Sequence, residues 1–181
     1  MSVSASTTRW RVRLAGPAGG YRGWLTDRGS LTARIRAGCA EFAVRPVRQA
    51  LDRPFRDECA CLGVERGELS LVREVYLYCG PRPVVFAHSV VARADLRGAW
   101  RSVVGLGSRP LGHALFSNPR VERAPLAFRR LTPRDRLFRR AVAALPAVPA
   151  ELWARRSLFR LRGRPLLVTE VFLPPLLEAI P

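Results

Sequence analysis

The sequence has no lysine. All 31 of its basic residues are therefore arginine, and the 14 acidic residues leave a formal net charge of +17. The arginines are spread along the chain without a block of like charges, so we interpret most of them as a solvated shell that attracts small anions. The alternative is a nucleic-acid-binding protein. It lacks support, because no basic strand or helix is interleaved with aromatic residues, and we predict no nucleic-acid partner.

Cysteine and histidine are too scarce for a convincing zinc site. The chain has four cysteines, no C-x-x-C pair, and two histidines. A zinc centre needs about four ligands at suitable spacing, and Cys59-Ala-Cys61 is a weak metal signal. We predict no metal, and we predict reduced, structurally minor thiols at Cys39, Cys59, Cys61 and Cys79.

Long apolar runs are also absent. No stretch approaches the ~20 residues that a membrane span needs, and the N-terminus has no apolar core of a secretory signal. We expect a cytoplasmic monomer without stable membrane insertion. The chain has 181 residues, and 48% of them are hydrophobic, which is enough for one sizeable core. We assign residues 1–181 to one domain, with 1–9 disordered and 175–181 as a C-terminal tail.

Two apolar hairpins dominate what is present. The stretch Arg155–Pro174 turns at Arg162-Gly163-Arg164-Pro165, and the strand Leu69–Cys79 returns through a Gly/Pro turn as Val84–Val91. With further strands at 41–50 and 121–130, the pattern predicts an α+β fold. We expect a single antiparallel sheet of about five strands with short helices packed on it.

Helix signals lie between these strands. Ser30 is a good N-cap for a helix over 31–37 that Gly38 closes, and Pro110 suits the first turn of a helix running to Leu115. We also expect short helices over 95–104 and from Thr132 to Pro146. The segment 53–61 reads as polar and turn-like.

Two charges interrupt apolar strand faces. Side chains alternate along a strand, so Glu170 shares a face with Val168 and Phe172, and Arg73 shares a face with Leu71, Val75 and Leu77. Ionisable residues are seldom buried without a partner. If both strands belong to one sheet, the two charges either pair inside the core or face one ligand cavity. The periodicity does not choose between these alternatives.

Two weaker candidates remain. His88 shares a face with Val84, Phe86 and Val90, a setting more typical of a satisfied core histidine than of a catalyst, and we include it among residues that line the pocket. The glycine-rich segment Gly105–Gly112 matches neither a phosphate-binding P-loop nor a dinucleotide fingerprint. It is a candidate for a mobile flap or for a donor of backbone amides to an anion.

Several separated motifs resemble the chorismate lyase family. They run in the family's order over about residues 24–174: a W-L…S-[ML]-T segment, a central R-E strand, an L-G-x-x-P-L-G…L-F loop and a C-terminal signature. The corresponding residues are Trp24-Leu25 with Ser30-Leu31-Thr32, Val72–Val75, Leu106–Gly112 with Leu115-Phe116, Leu152–Ser157 and Leu161–Pro174.

The resemblance implies one antiparallel sheet backed by helices and a specific reaction. Family members remove pyruvate from chorismate to leave 4-hydroxybenzoate, the first committed step of ubiquinone biosynthesis, without cofactor or metal. The resemblance places Arg73 on the ring carboxylate and Glu170 on the ring hydroxyl. The backbones of Leu31 and Leu111 would complete the pocket under closing flaps.

The chain departs from the family pattern at two of these positions. Leu31 replaces a methionine of some members, which a backbone contact tolerates, and His88 stands where an arginine is expected. Two mechanistic routes are open: Glu170, its pKa raised by an apolar site, takes part in proton transfer, or the hydrogen moves within the substrate while Glu170 holds the hydroxyl. A non-catalytic ligand-sensing domain of the same fold is the alternative function.

Overall fold

A computed structural model describes residues 9–180, so most of the segment 1–9 that we predicted as disordered lies outside the described residues. The described chain contains seven strands and seven α-helices, with three short 3₁₀ turns. The strands are β1 (Phe42–Asp52), β2 (Ser70–Cys79), β3 (Arg82–Ala92), β4 (Val121–Arg123), β5 (Ala127–Leu131), β6 (Leu152–Leu161) and β7 (Arg164–Phe172). The helices are α1 (Arg22–Thr26), α2 (Leu31–Ala37), α3 (Arg56–Leu62), α4 (Arg101–Val104), α5 (Leu111–Phe116), α6 (Arg136–Ala141) and α7 (Pro175–Ala179).

All strands belong to one antiparallel sheet, which confirms the α+β prediction. The order is β1-β2-β3-β7-β6-β4, and β5 pairs with the other end of β6. Both predicted hairpins are present. The turn between β6 and β7 places Arg162 at φ 54° and Gly163 at φ 76°, the left-handed pair that a two-residue hairpin turn requires.

Apolar side chains cover both faces of the sheet. Helices α2 and α5 pack on one face through Leu31, Ile35, Leu111 and Leu115, while α3 and α6 pack on the other through Leu62, Leu137 and Phe138. The predicted cap of α2 is confirmed, because the Ser30 side chain accepts a hydrogen bond from the Ala33 amide. Within residues 9–180, no helix is long and apolar enough to cross a membrane.

Local predictions failed where tertiary contacts overrode weak signals. The segment predicted as turn-like forms α3, whose Glu58 accepts a hydrogen bond from the Phe55 amide. The strand predicted over 121–130 is split into β4 and β5 around Pro125, which has no amide for the ladder. The helix expected from Thr132 begins only at Arg136, because the Asp135 carboxylate accepts hydrogen bonds from the Thr132 amide and hydroxyl.

The C-terminal segment that we described as a tail is packed onto the fold. Helix α7 buries Leu176 completely, and Ile180 is 6% exposed. A methyl of Ile180 lies 2.5 Å from the position that a Cβ on Gly38 would occupy. Only glycine therefore permits this close approach of α7 to the end of α2.

One pair of cysteines contradicts the prediction of reduced thiols. Cys39 and Cys79 form a disulfide, while Cys59 and Cys61 are free. The pairing of β1 with β2 sets Phe42 opposite Cys79 and so brings Cys39, just before β1, to a Cα–Cα distance of 5.6 Å. That distance is in the normal range for a disulfide. Sequence spacing could not reveal it.

A buried ion network joins α3 to the sheet face opposite α2 and α5. His88 Nδ1 lies 2.8 Å from Glu74 Oε1, and Arg140 Nη1 lies 2.5 Å from the same oxygen. His88 Nε2 is 3.1 Å from Glu58 Oε1, yet the two atoms are not aligned for a hydrogen bond, so we treat this contact as a charge pair. Arg156 Nη1 binds Asp57, also on α3, at 2.8 Å.

This network keeps His88 charged. Burial by itself lowers the pKa of His88, but Glu58 and Glu74 outweigh it and raise the pKa to about 9. Burial likewise opposes ionisation of Glu74, and His88 and Arg140 overcome it, so the pKa of Glu74 is lowered. A protonated His88 between two carboxylates is therefore the resting state near neutral pH.

We predict that loss of the disulfide destabilises the fold. The bridge joins residues separated by 40 positions, and Cys39→Ser should lower the free energy of unfolding by about 2–4 kcal/mol, because the unfolded chain regains conformational freedom. Urea unfolding of the oxidised protein and the variant measures this difference. Cys61→Ser, at a free and partly exposed cysteine, is the matched control. Equal midpoints for Cys39→Ser and the oxidised parent would contradict a stabilising bridge.

We also predict that stability falls at alkaline pH through His88. The pKa of His88 is near 6.5 in an unfolded chain and about 9 in the folded protein. The stabilisation is fully present below pH 6.5 and disappears as pH rises through 9. Its full size is about 3 kcal/mol.

The measurement is urea unfolding at several pH values for the parent and His88→Arg. The arginine keeps its charge across this range, so its curve should lack the alkaline decline. Parallel pH profiles for the two proteins would show that His88 does not carry this dependence.

Candidate active site

A cavity lies between the sheet and the helices α2 and α5. Its volume is about 50 Å³. Two arginines and a glutamate are the charged groups among its lining side chains, and the remainder are apolar or small. The lining residues are Leu31, Thr32, Val44, Arg73, Val75, Leu77, Ala87, Ser89, Pro110, Leu111, Gly112, Leu115, Phe116, Arg123, Ser157, Phe159, Val168 and Glu170.

Strand register brings the two predicted charges to this cavity. Arg73 on β2 is opposite Ser89 on β3, which is opposite Val168 on β7, and Glu170 follows Val168 by two residues. Alternate residues of a strand share a face, so Arg73 and Glu170 both face α2 and α5. Of the two alternatives that the sequence left open, the structure shows the one in which both charges line one cavity.

Arg73 is almost completely buried, with 3% of its surface exposed. Its Nη2 donates hydrogen bonds to the carbonyls of Gly107 (2.9 Å) and Arg109 (3.1 Å). Its Nε has no hydrogen-bond partner among the described residues, and no carboxylate of residues 9–180 lies within ion-pair distance. Burial lowers the pKa of Arg73. An anion entering the cavity would therefore find an unneutralised guanidinium.

Glu170 is paired, but with another arginine. Its Oε2 accepts a hydrogen bond from Arg155 Nε at 2.5 Å, and Arg155 is fully buried. An internal Arg73–Glu170 pair, the simpler of our two sequence alternatives, is not formed. The proton-transfer route assumed that Glu170 has purely apolar surroundings. The Arg155 guanidinium beside it shows that this assumption does not hold.

Arg155 was missed by the sequence analysis. It lies on β6 directly opposite Glu170 and donates from Nη1 to the carbonyls of Trp24 (2.9 Å) and Asp27 (2.7 Å). It thereby attaches the segment before α2 to the sheet. Counting outward from the Arg162–Gly163 turn would have identified this pairing.

A third guanidinium, that of Arg123 on β4, was also missed. Its Nε and Nη2 donate to Ser157 Oγ at 3.1 and 2.7 Å, and its Nη1 donates to the Arg28 carbonyl at 2.7 Å. We predicted a longer strand over 121–130 and assigned Arg123 no face, whereas β4 ends at Arg123. Burial lowers the pKa of Arg123, and the nearby Glu170 carboxylate partly opposes that effect.

Leu31 and Leu111 line the cavity as expected. Each is the first residue of a helix, α2 or α5, and is almost fully buried. The amides of a first helical turn have no acceptor within the helix. Both backbones can therefore donate into the cavity, as the family resemblance implies.

His88 does not line the cavity, and this prediction was wrong. Its neighbours Ala87 and Ser89 do so, because alternate residues of β3 face opposite sides of the sheet. His88 belongs instead to the network with Glu58 and Glu74. His88 was correctly assigned to the strand face of Val84, Phe86 and Val90. The error was to take that face as the side that lines the pocket.

The glycine-rich loop was a candidate donor of backbone amides to an anion. In the structure it instead contributes backbone carbonyls that accept hydrogen bonds. Gly107 and Arg109 accept hydrogen bonds from Arg73 through their backbone oxygens, and Arg109 caps its own loop by donating to the Gly105 carbonyl at 2.7 Å. The loop thus covers the Arg73 end of the cavity. Among residues 9–180, no group of three or more His, Cys, Asp or Glu side chains is arranged to hold a metal ion.

Known protein structures share this fold at low sequence identity. The effector domain of PhnF from Mycobacterium smegmatis aligns with a TM-score of 0.56 and 15% identity, over 81% of this chain and 89% of that domain. A GntR-family transcriptional regulator from Bacillus cereus aligns with a TM-score of 0.54 and 14% identity, over 75% of this chain and 93% of that one. These similarities concern the fold alone.

Sequence relatives are much closer. A probable chorismate pyruvate-lyase from Nitrosospira multiformis is 60% identical over 158 residues, covering 87% of this chain and 88% of that protein. A protein of the same name from Methylobacillus flagellatus is 45% identical over 170 residues, covering 94% and 95%. The model of the chorismate lyase family matches residues 11–180. The chain therefore belongs to the chorismate lyase family.

Proposed function

We propose that this protein eliminates pyruvate from chorismate and releases 4-hydroxybenzoate, at the start of ubiquinone biosynthesis. The observation that carries the proposal is the placement of Arg73 and Glu170 on one cavity wall, with no carboxylate of residues 9–180 paired to Arg73. Chorismate carries a carboxylate and a hydroxyl at opposite ends of its ring. Arg73 and Glu170 offer the matching cation and acceptor.

The spacing of the two residues suits a ring. They lie on strands separated by β3 and are offset by two residues along the sheet, which puts their Cα atoms about 12 Å apart. A six-membered ring with para substituents spans this gap once both side chains reach into the cavity. Arg73 binds the ring carboxylate with Nε, and the amides of Leu31 and Leu111 complete the pocket.

Glu170 accepts a hydrogen bond from the ring hydroxyl. Its Oε2 is engaged by Arg155, which leaves Oε1 for the substrate. With Arg155 on one oxygen and the ring hydroxyl on the other, the carboxylate is fully engaged in holding its partners, so we favour the route in which the hydrogen stays within the substrate. The ether bond to the ring breaks, and the hydrogen on the hydroxyl-bearing carbon moves to the enolpyruvyl methylene.

This step balances internally. The ring gains a double bond and becomes aromatic, and the enolpyruvyl group leaves as pyruvate. No external electron acceptor is required, and we propose that the enzyme uses no cofactor or metal. Its contribution is the orientation of the reacting groups and the placement of charges around them.

The cavity is complete within one chain, and we propose a monomer in the cytoplasm with no nucleic-acid or membrane partner. Two free cysteines, Cys59 and Cys61, fit a reducing compartment, while the Cys39–Cys79 disulfide is the feature that opposes it. The second candidate function is a ligand-sensing domain, which the fold shared with the PhnF effector domain favours. Such a domain would bind 4-hydroxybenzoate without converting chorismate.

The first prediction for the site concerns turnover and Arg73. The purified protein should release equal amounts of 4-hydroxybenzoate and pyruvate from chorismate. Arg73→Ala should weaken binding of both chorismate and 4-hydroxybenzoate by about 100-fold, because a charge-assisted anchor is lost. Arg66→Ala, an equal charge change at an exposed position before β2, is the control. Binding without turnover in the parent protein would identify a sensor.

The second prediction separates the two roles of Glu170. Glu170→Gln still accepts a hydrogen bond, so kcat should fall only about tenfold, whereas loss of a general acid or base costs 10²–10⁴-fold. Chorismate deuterated on the hydroxyl-bearing ring carbon should deliver its label to the methyl group of pyruvate in the parent and the variant. Exchange of the label with solvent before product release would contradict the intramolecular route.

A further inference from the structure

The cavity holds one more cation than the proposed contacts use. Two guanidinium groups, those of Arg73 and Arg123, line the cavity with the single carboxylate of Glu170, and a third, that of Arg155, contacts this carboxylate. Arg155 is paired with Glu170. Among the described residues, neither Arg73 nor Arg123 has a carboxylate within ion-pair distance. Two unneutralised cations therefore face the same enclosed space.

Arg123 is held rigidly by neutral acceptors. Three of its five N–H donors are occupied by Ser157 Oγ and the Arg28 carbonyl. One donor on Nη1 and one on Nη2 remain. A guanidinium edge with two free donors matches the two oxygens of a carboxylate.

The surroundings of Arg123 are apolar. Its guanidinium carbon lies 5.3 Å from the ring centres of both Phe116 and Phe159. Both rings pack against the partly buried guanidinium, where a bound carboxylate would be attracted more strongly than in open solvent. Neither ring supplies a negative charge, and the site is incomplete without an anion.

The chemistry of chorismate supplies the matching group. Chorismate is a dianion: one carboxylate is on the ring, and the other is on the enolpyruvyl ether, attached beside the hydroxyl-bearing carbon. If Arg73 binds the ring carboxylate and Glu170 the hydroxyl, the enolpyruvyl group must lie near Glu170. The field of Glu170 reaches Arg123, and the two side chains line the same cavity.

We propose that Arg123 binds the enolpyruvyl carboxylate of chorismate. This inference rests on the proposed function. The net charge of the site, three guanidiniums and one carboxylate, then matches the two charges of the substrate. Holding the enolpyruvyl carboxylate fixes the methylene over the ring hydrogen that it receives. Arg123 is thus a substrate-binding residue that selects the reactive conformation.

The contact also distinguishes substrate from product. Breaking the ether bond transfers the second carboxylate to pyruvate, so 4-hydroxybenzoate has nothing to offer Arg123. Arg73 and Glu170, by contrast, bind groups that both molecules share. Loss of Arg123 should therefore weaken the binding of chorismate alone, whereas loss of Arg73 or Glu170 should weaken the binding of both molecules.

The test compares chorismate and 4-hydroxybenzoate on Arg123→Gln. We expect kcat/KM for chorismate to fall about 100-fold, while the Kd of 4-hydroxybenzoate changes by no more than about threefold. Arg73→Ala should instead weaken both ligands. Arg120→Gln removes the same charge at an exposed position three residues away and should change neither value. Steady-state kinetics and calorimetric titration of 4-hydroxybenzoate provide the numbers.

Each outcome decides between the proposals. An unchanged kcat/KM in Arg123→Gln, with a parent enzyme that converts chorismate, overturns the role of Arg123 and leaves the function intact. A parent protein that does not convert chorismate overturns the function itself. Because Arg123 also holds the Arg28 segment, Arg123→Lys is a second variant that keeps the charge. If both variants lose 4-hydroxybenzoate as well as chorismate, Arg123 is a structural residue and the inference is wrong.

Discussion

Buried guanidinium groups on one sheet face hold the covering segments of this protein in place. Arg73 donates to the carbonyls of Gly107 and Arg109, Arg155 donates to those of Trp24 and Asp27, and Arg123 donates to that of Arg28. A buried backbone carbonyl needs a donor, and a guanidinium can serve several acceptors at once. Without these contacts, both segments above the cavity would lose their attachment to the sheet.

The same groups set the electrostatics of the cavity. A guanidinium that binds neutral carbonyls keeps its full charge, whereas one that binds a carboxylate is neutralised. Arg155 is neutralised by Glu170, whereas no carboxylate in the described part of the chain pairs with Arg73 or Arg123. The guanidinium groups that hold the covering segments therefore also keep the cavity positively charged.

The two faces of the sheet carry charge for different purposes. On the closed face, Glu58, Glu74, His88 and Arg140 neutralise one another within a dry layer between the sheet and α3. A buried network of this kind is costly when one partner is removed. On the cavity face, positive charge is left in excess. Arg73 and Glu74 are adjacent in sequence, but strand alternation places them on opposite sides of one sheet. Arg73 faces the cavity, and Glu74 belongs to the buried ion network.

The sequence by itself determined the antiparallel sheet, both hairpins, the cap of α2, and the apolar strand faces on which Arg73 and Glu170 each lie. These follow from local rules: turn chemistry, the period of two along a strand, and side-chain capping. Only the tertiary structure decided the partners. The Cys39–Cys79 bridge, the position of Arg123 and the placement of His88 outside the cavity all depend on strand order and register. Strand order and register bring together residues that are far apart in sequence. A local periodicity carries no information about how close such residues are in space.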